Sequence, residues 1–237
     1  MRTIRIIIFC LSVSFLSYAQ QDKNTKAIPK SNRVLNYDSI VYANARANGD
    51  YVIAINALYY MMAKNPQKSI AYKDSLATIY YLTKLYQKCV VTGSEVLASQ
   101  PDNLRIMELV AISERIIGQT KNSLNLYENL YSKTASLTHA YYVAEMQFNL
   151  QRYGECMNTI EKIIASEKSE KETIQVAITA DKLQTVFLKA AALNIKGMVY
   201  KQMGKSEEAK EAFQNALLIE KEFALPTANL QNFVNTK

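Results

Sequence analysis

"KAAALNIKGMVYKQMGKSEEAKEAFQNALLIEKEF", residues 189–223, decides the fold of this chain. Small residues stand at Gly197, Ala209 and Ala216, and aromatic ones at Tyr200 and Phe213. Gly204-Lys205-Ser206 spells the end of a phosphate-binding loop. That loop needs four residues between its glycines and a β-strand before it. Here six residues lie between Gly197 and Gly204, and the preceding "LKAAALNIK" consists of strong helix formers without a β-branched run. A helix–turn–helix is expected instead. Gly204 closes the first helix in a left-handed conformation. Ser206 caps the second, with Glu207 and Glu208 in its electropositive first turn.

Weaker copies of the stretch recur upstream at a period of about 34 residues. Counting a unit from Ala190, Gly197 is the small position 8, Tyr200 the aromatic position 11 and Gly204 the turn. Ala209 is the small position 20, Phe213 the aromatic position 24 and Ala216 the small position 27. This pattern resembles the tetratricopeptide repeat. Lys221 replaces the family's usual terminal proline, and the chain has no tryptophan for position 4. A unit from Leu35 has "NGDY" (48–51) at its turn, then Ala54, Leu58 and Pro66. One from Ile70 has Ala77, Tyr80, Tyr86 in the turn, Cys89 and Pro101. One from Leu104 has Ala111, Gly118, Ser123 and Tyr127, with Glu114 at position 11. One from Leu137 has Ala144, Tyr153 in the turn, Cys156, Ile160 and Ile163, with Gln147 at position 11.

The resemblance implies an all-α fold, a right-handed superhelix of about five helix pairs, with repeats at about 35–69, 70–103, 104–136, 137–170 and 190–223. Helices approach to about 8–10 Å only where the crossing residues are small, and each pair must stack on the next to bury its apolar face. Cys89 and Cys156 hold the same position two units apart, roughly 20 Å if each unit adds about 10 Å. A disulfide needs Cα atoms within about 7 Å, so both are expected as free packing thiols. The amphipathic tail from Pro226, with Leu230 and Phe233, is expected as a capping helix over 226–236.

Residues 171–189 are extra. Ile174, Val176 and Ile178 alternate with Gln175, Ala177 and Thr179, and Leu183, Thr185 and Phe187 alternate again after "ADK". Period two with β-branched residues reads as a hairpin docked by one face, with a prolonged helix as the alternative.

"MRTIR", the apolar "IIIFCLSVSFL" and "SYA" at the start read as a signal peptide over 1–19, cleaved between Ala19 and Gln20. The apolar run is too short for a permanent membrane span, so no stable membrane anchor is expected. The polar 20–34 reads as a disordered tether. Of the formal +7 charge, much lies in these two segments; residues 35–237 hold 22 basic and 20 acidic side chains. A region so near neutrality has no electrostatic footprint for nucleic acid. The mature protein is expected to be periplasmic or secreted.

Catalytic residues, metal ligands and cofactor sites are not expected. His139 stands alone at a helix start and reads as a surface histidine, solvated or partly packed. The resemblance implies a concave groove lined by the first helix of each unit. By unit, the groove residues are Arg46; Asp74, Thr78 and Tyr81; Arg105, Glu108, Ile112 and Arg115; Tyr141, Tyr142, Glu145, Phe148 and Asn149; Asn194, Met198 and Lys201. Aromatics beside arginines are the composition of protein-binding hot spots. The Lys/Asn/Arg set with which some family members clamp a terminal carboxylate is absent. The expected function is an exported, non-catalytic adaptor that binds a partner protein or peptide in that groove; the alternative is a self-associating subunit of an envelope assembly.

Overall fold

The computed structural model describes residues 37–179 and 181–234, all within the compact unit Asn36–Lys237. Residues 1–34, read from the sequence as a signal peptide and a tether, lie outside the described residues. Helices pair in sequence: α1 (Tyr37–Ala47) with α2 (Tyr51–Lys64), α3 (Ser69–Leu82) with α4 (Tyr86–Ser99), and α5 (Leu104–Ile116) with α6 (Thr120–Thr134). Then come α7 (Leu137–Asn149) with α8 (Tyr153–Ile164), the strands β1 (Thr173–Ala177) and β2 (Leu183–Phe187), α9 (Leu188–Gln202) with α10 (Ser206–Ile219), and α11 (Ala224–Val234). None of these helices is long and apolar enough to cross a membrane.

One turn is repeated in every pair. Gly49, Lys84, Gly118, Gln151 and Gly204 all have positive φ, between 59° and 80°. The residue after each donates its N–H back across the turn: Asp50 to Ala45, Leu85 to Tyr80, Gln119 to Glu114, Arg152 to Gln147 and Lys205 to Tyr200, at 2.8–2.9 Å. This double closure satisfies the last carbonyls of the first helix. Tyr86 and Tyr153, expected within turns, instead begin α4 and α8; the left-handed residue is Lys84 or Gln151, where no glycine marks it. Ser206 is likewise the first residue of α10 and not its cap; Lys205 precedes the helix, with no side-chain capping bond. Side-chain caps are found at Asp50 and Asn103, which accept from Ile53 N and Ile106 N at 3.2 Å.

Packing follows from residue size. Ala54, Cys89, Ser123, Cys156 and Ala209 are all completely buried where the second helix of a pair crosses the first. The crossing is close enough that Ser123 Oγ donates to Ala111 O at 2.9 Å and Cys156 Sγ to Ala144 O at 3.2 Å. Both cysteines are free and buried. At Gly197 an added Cβ would lie 2.5 Å from the Phe213 ring, so glycine is required there by close approach. Where other units place an aromatic, Gln147 accepts from Thr159 Oγ1 at 2.9 Å. Glu114, at the matching place, is buried with Oε2 unpartnered, and burial pushes its carboxyl up to about 7.

The insertion is a hairpin. β1 pairs antiparallel with β2, Ile174 opposite Val186 and Val176 opposite Gln184. Ile174, Val176 and Val186 are buried against the helices, each contributing about 1.5–3 kcal/mol, which offsets the marginal stability of an isolated hairpin. The second strand presents its other face from the one its sequence suggests: Leu183 is 60% exposed, while Val186 is 1% exposed. The Gln184 carboxamide fastens this face, donating to Glu222 O at 2.7 Å and accepting from Ala224 N at 3.1 Å. The capping helix starts at Ala224, two residues before Pro226, and lays Phe233 against Phe213 with ring centroids 6.4 Å apart. Residues 235–237 lie outside the described residues.

Candidate functional site

Eight of the residues expected in a groove surround one cavity of about 140 Å3: Arg115, Tyr141, Tyr142, Glu145, Phe148, Asn149, Asn194 and Met198. Helices α5, α7 and α9 supply them, each from the first helix of its pair. Arg115 is the centre. Its Nη1 lies 3.5 Å from Glu145 Oε2, and its guanidinium sits 4.9 Å from the centroid of the Tyr142 ring. Tyr142 in turn packs against Tyr127 at 4.9 Å and edge-on to Tyr141 at 5.7 Å. Burial raises the Glu145 carboxyl and Arg115 pulls it partly back. Burial opposes the Arg115 charge, and Glu145 with the two phenols outweighs it. Neither Arg115 Nε nor Glu145 Oε2 has a hydrogen-bond partner.

A second hollow of about 380 Å3 holds Arg46, Asp74, Thr78 and Arg105, with Tyr42. Here the polar groups answer one another. Arg105 pairs with Asp74 and donates to Thr78 Oγ1 at 2.7 Å, and Asn103 Nδ2 donates to the other Asp74 oxygen at 2.9 Å. Tyr81 and Glu108 line neither hollow. Burial raises the Tyr81 and Tyr142 phenols, and the Glu108 charge adds to both. Ile112 packs, half-buried, on the core of the third pair.

Residues 190–223 match the family model of the tetratricopeptide repeat. The fold is that of a tetratricopeptide-repeat solenoid. It resembles that of the protein MamA, with a TM-score of 0.61 at 13% identity over 78% of this chain and 91% of the other. It also resembles YrrB, described as a tetratricopeptide-repeat protein with an unusual peptide-binding site, with a TM-score of 0.65 at 10% identity over 80% and 88%. A tetratricopeptide repeat protein from Parabacteroides merdae gives 0.60 at 19% identity over 79% and 68%. At these identities the likeness is one of fold. No curated protein matches the chain in sequence.

Several expectations for this repeat protein need correction. Tyr141 and Asn194 are buried residues that line the cavity. Asn194 Oδ1 accepts from Asn229 Nδ2 at 3.2 Å, and the Lys201 ammonium lies 5.3 Å from the Phe233 ring centroid. The capping helix thus contacts two of the three groove positions assigned to the last pair. His139 is not solvated but buried, with Nδ1 2.8 Å from Thr134 Oγ1 and Nε2 3.7 Å from Glu108 Oε1. That histidine holds the Glu108 carboxyl below its usual range, outweighing burial. Among the described residues no group of three His, Cys, Asp or Glu side chains converges on a point. Sequence reasoning missed five lining residues of the 140 Å3 cavity: Gln175, Val176, Ala177, Ile195 and Leu225. The first three belong to the hairpin, whose alternation showed a docked strand but not the place it docks.

Proposed function

We propose that this protein is an exported, non-catalytic scaffold that holds a partner protein or peptide along the inner helices of its stack. The observation that carries the reading is the cavity at Arg115, where a half-buried ion pair stands beside Tyr142 and Phe148. Aromatic and arginine side chains at such a place are the usual anchors of protein recognition. A structural neighbour described as having a peptide-binding site agrees with that class of occupant. Export rests on residues 1–19, and an N-terminal sequence beginning at Gln20 on the isolated protein supports it; a start at Met1 removes it.

One observation favours a self-associating structural subunit. The first helix pair exposes Tyr37 at 72%, Val52 at 71% and Tyr60 at 65%, a patch of the kind that marks association. A photo-crosslinking residue at Asn149, on the cavity rim, and another at Tyr60 separate the readings in cells. The scaffold reading expects a heterologous adduct from position 149. Self-adducts from position 60 with none from 149 would replace it by the structural one.

A further inference from the structure

The hairpin does more than dock; its free edge opens on the cavity. Ile178 N donates to Lys182 O at 2.8 Å and Leu188 N to Glu172 O at 2.9 Å. Bonded and non-bonded pairs alternate along an antiparallel ladder. With the observed register, Ile174 and Val176 direct their backbone groups toward β2, while Thr173, Gln175 and Ala177 direct theirs away from it. No described group outside the ladder takes up these outward N–H and C=O groups.

The cavity touches Gln175, Val176 and Ala177 together, and no residue of β2. Gln175 and Ala177 lie on the exposed face and Val176 on the buried one. Successive residues on opposite faces share one cavity only along the strand's edge. That edge is the outward one, since β2 occupies the other. Across the cavity stands the Arg115–Glu145 ion pair, whose charges cancel. A charged side chain entering there would find one member of the pair repelling it in a water-poor site, which disfavours it strongly. A carboxamide carries an acceptor for the guanidinium and donors for the carboxylate in one neutral group. The volume is adequate: a cavity of about 150 Å3 holds one benzene ring.

We propose that the free edge of β1 takes an extended peptide as an added strand, and that an Asn or Gln side chain of that peptide enters the cavity beside the Arg115–Glu145 pair. This rests on the scaffold reading for the class of occupant and adds the mode of binding and a side-chain preference. Backbone pairing supplies affinity and the cavity supplies selection.

The test uses isotope-labelled full chain and the peptide acetyl-Thr-Val-Thr-Gln-Thr-Val-Thr-amide, followed by backbone amide NMR. The expected result is saturable shifts at the Gln175 and Ala177 amides, at least tenfold weaker binding when the peptide's Gln is replaced by Glu, and the same loss for the Gln175→Pro protein. That variant removes an outward N–H and leaves the β1–β2 ladder intact, which cross-strand contacts between Ile174 and Val186 verify. Shifts at Tyr142 and Met198 with unmoved Gln175 and Ala177 amides overturn strand addition and leave the scaffold reading standing. Equal binding of the Glu peptide overturns the carboxamide preference. Absence of binding at millimolar peptide overturns the proposal, while the adduct from position 149 judges the scaffold reading independently. Concentration-dependent pairing of two β1 edges, seen by light scattering and lost in Gln175→Pro, overturns it in favour of a second copy.

Discussion

Replacing Gly197 by alanine is the most direct probe of why the last helix pair packs as it does. The new Cβ would lie 2.5, 2.6 and 2.8 Å from three atoms of the Phe213 ring. That ring is fully buried, with Phe233 beyond it, so it cannot swing aside without moving α10 or α11. Overpacking of this kind costs about 1–3 kcal/mol. With three ring atoms met at once, the upper part of that range, about 2–3 kcal/mol, applies. Alanine returns about 0.8–1 kcal/mol of helix propensity, leaving a net loss of about 1–2 kcal/mol. In a chain of this length each kcal/mol lowers Tm by roughly 2–4 °C. The protein has no tryptophan, so urea unfolding is followed by far-ultraviolet circular dichroism. Amide exchange then shows lost protection concentrated in α9, α10 and α11, because stacking is nearest-neighbour. Gly154→Ala is the control: nothing lies within 4 Å of its added Cβ, and a gain of about 0.5 kcal/mol or more is expected. In a Phe213→Leu background the Gly197→Ala loss shrinks by at least about 0.5 kcal/mol, the coupling expected of touching residues. A Gly197→Ala protein as stable as wild type, or a loss indifferent to residue 213, would refute the account of the helix crossing.

Gln151→Gly is expected to stabilise by about 0.5–1 kcal/mol, because a left-handed non-glycine residue costs about 1–2 kcal/mol and glycine returns part of that as chain entropy; urea midpoints decide. Glu114 contributes a pH dependence of definite sign. Its folded carboxyl, at about 7, binds a proton more tightly than in the unfolded chain, so stability falls as pH rises from about 4.3 to about 7. Glu114→Gln removes that fall, leaving the variant more stable than wild type at pH 8 and similar at pH 4; equal slopes would exclude Glu114 as the source. Burial pushes the Cys156 thiol up to about 12 and raises Cys89 as well. Both should resist a thiol reagent in the native protein and react as two equivalents in urea, whereas rapid native labelling would contradict their place in the helix crossings.

Much of the fold was readable because it depends on residue size at fixed spacing. Ala54, Cys89, Ser123, Cys156 and Ala209 share smallness, and the helix crossing asks for little else. Turns were readable where glycine marks the left-handed residue; Lys84 and Gln151 adopt the same conformation without a side chain that announces it. The hairpin followed from period-two apolar spacing, yet its second strand was read by Leu183 and Phe187 when Val186 is the buried residue. Alternation gives two faces and does not say which one meets the helices. The site was legible only in part for a related reason. Family positions predict which side chains of a helix face inward, but the capping helix and β1 arrive from outside the repeat and occupy that space. Asn194 and Lys201 touch the cap, and Gln175 and Ala177 join the cavity from the insertion.

The hairpin also sets an order of assembly. Its Ile174, Val176 and Val186 join α7, α8 and α9 into a single large apolar cluster that reaches Phe223. Toward the N-terminus the buried residues are divided among three smaller clusters. In a stack whose stability adds up from neighbour to neighbour, the best-consolidated block nucleates first and opens last. On the ribosome the leading helices therefore emerge well before the segment that stabilises their stack. They wait for residues beyond 170 to seed a folding wave that runs backwards, from the last-made part of the chain to the first.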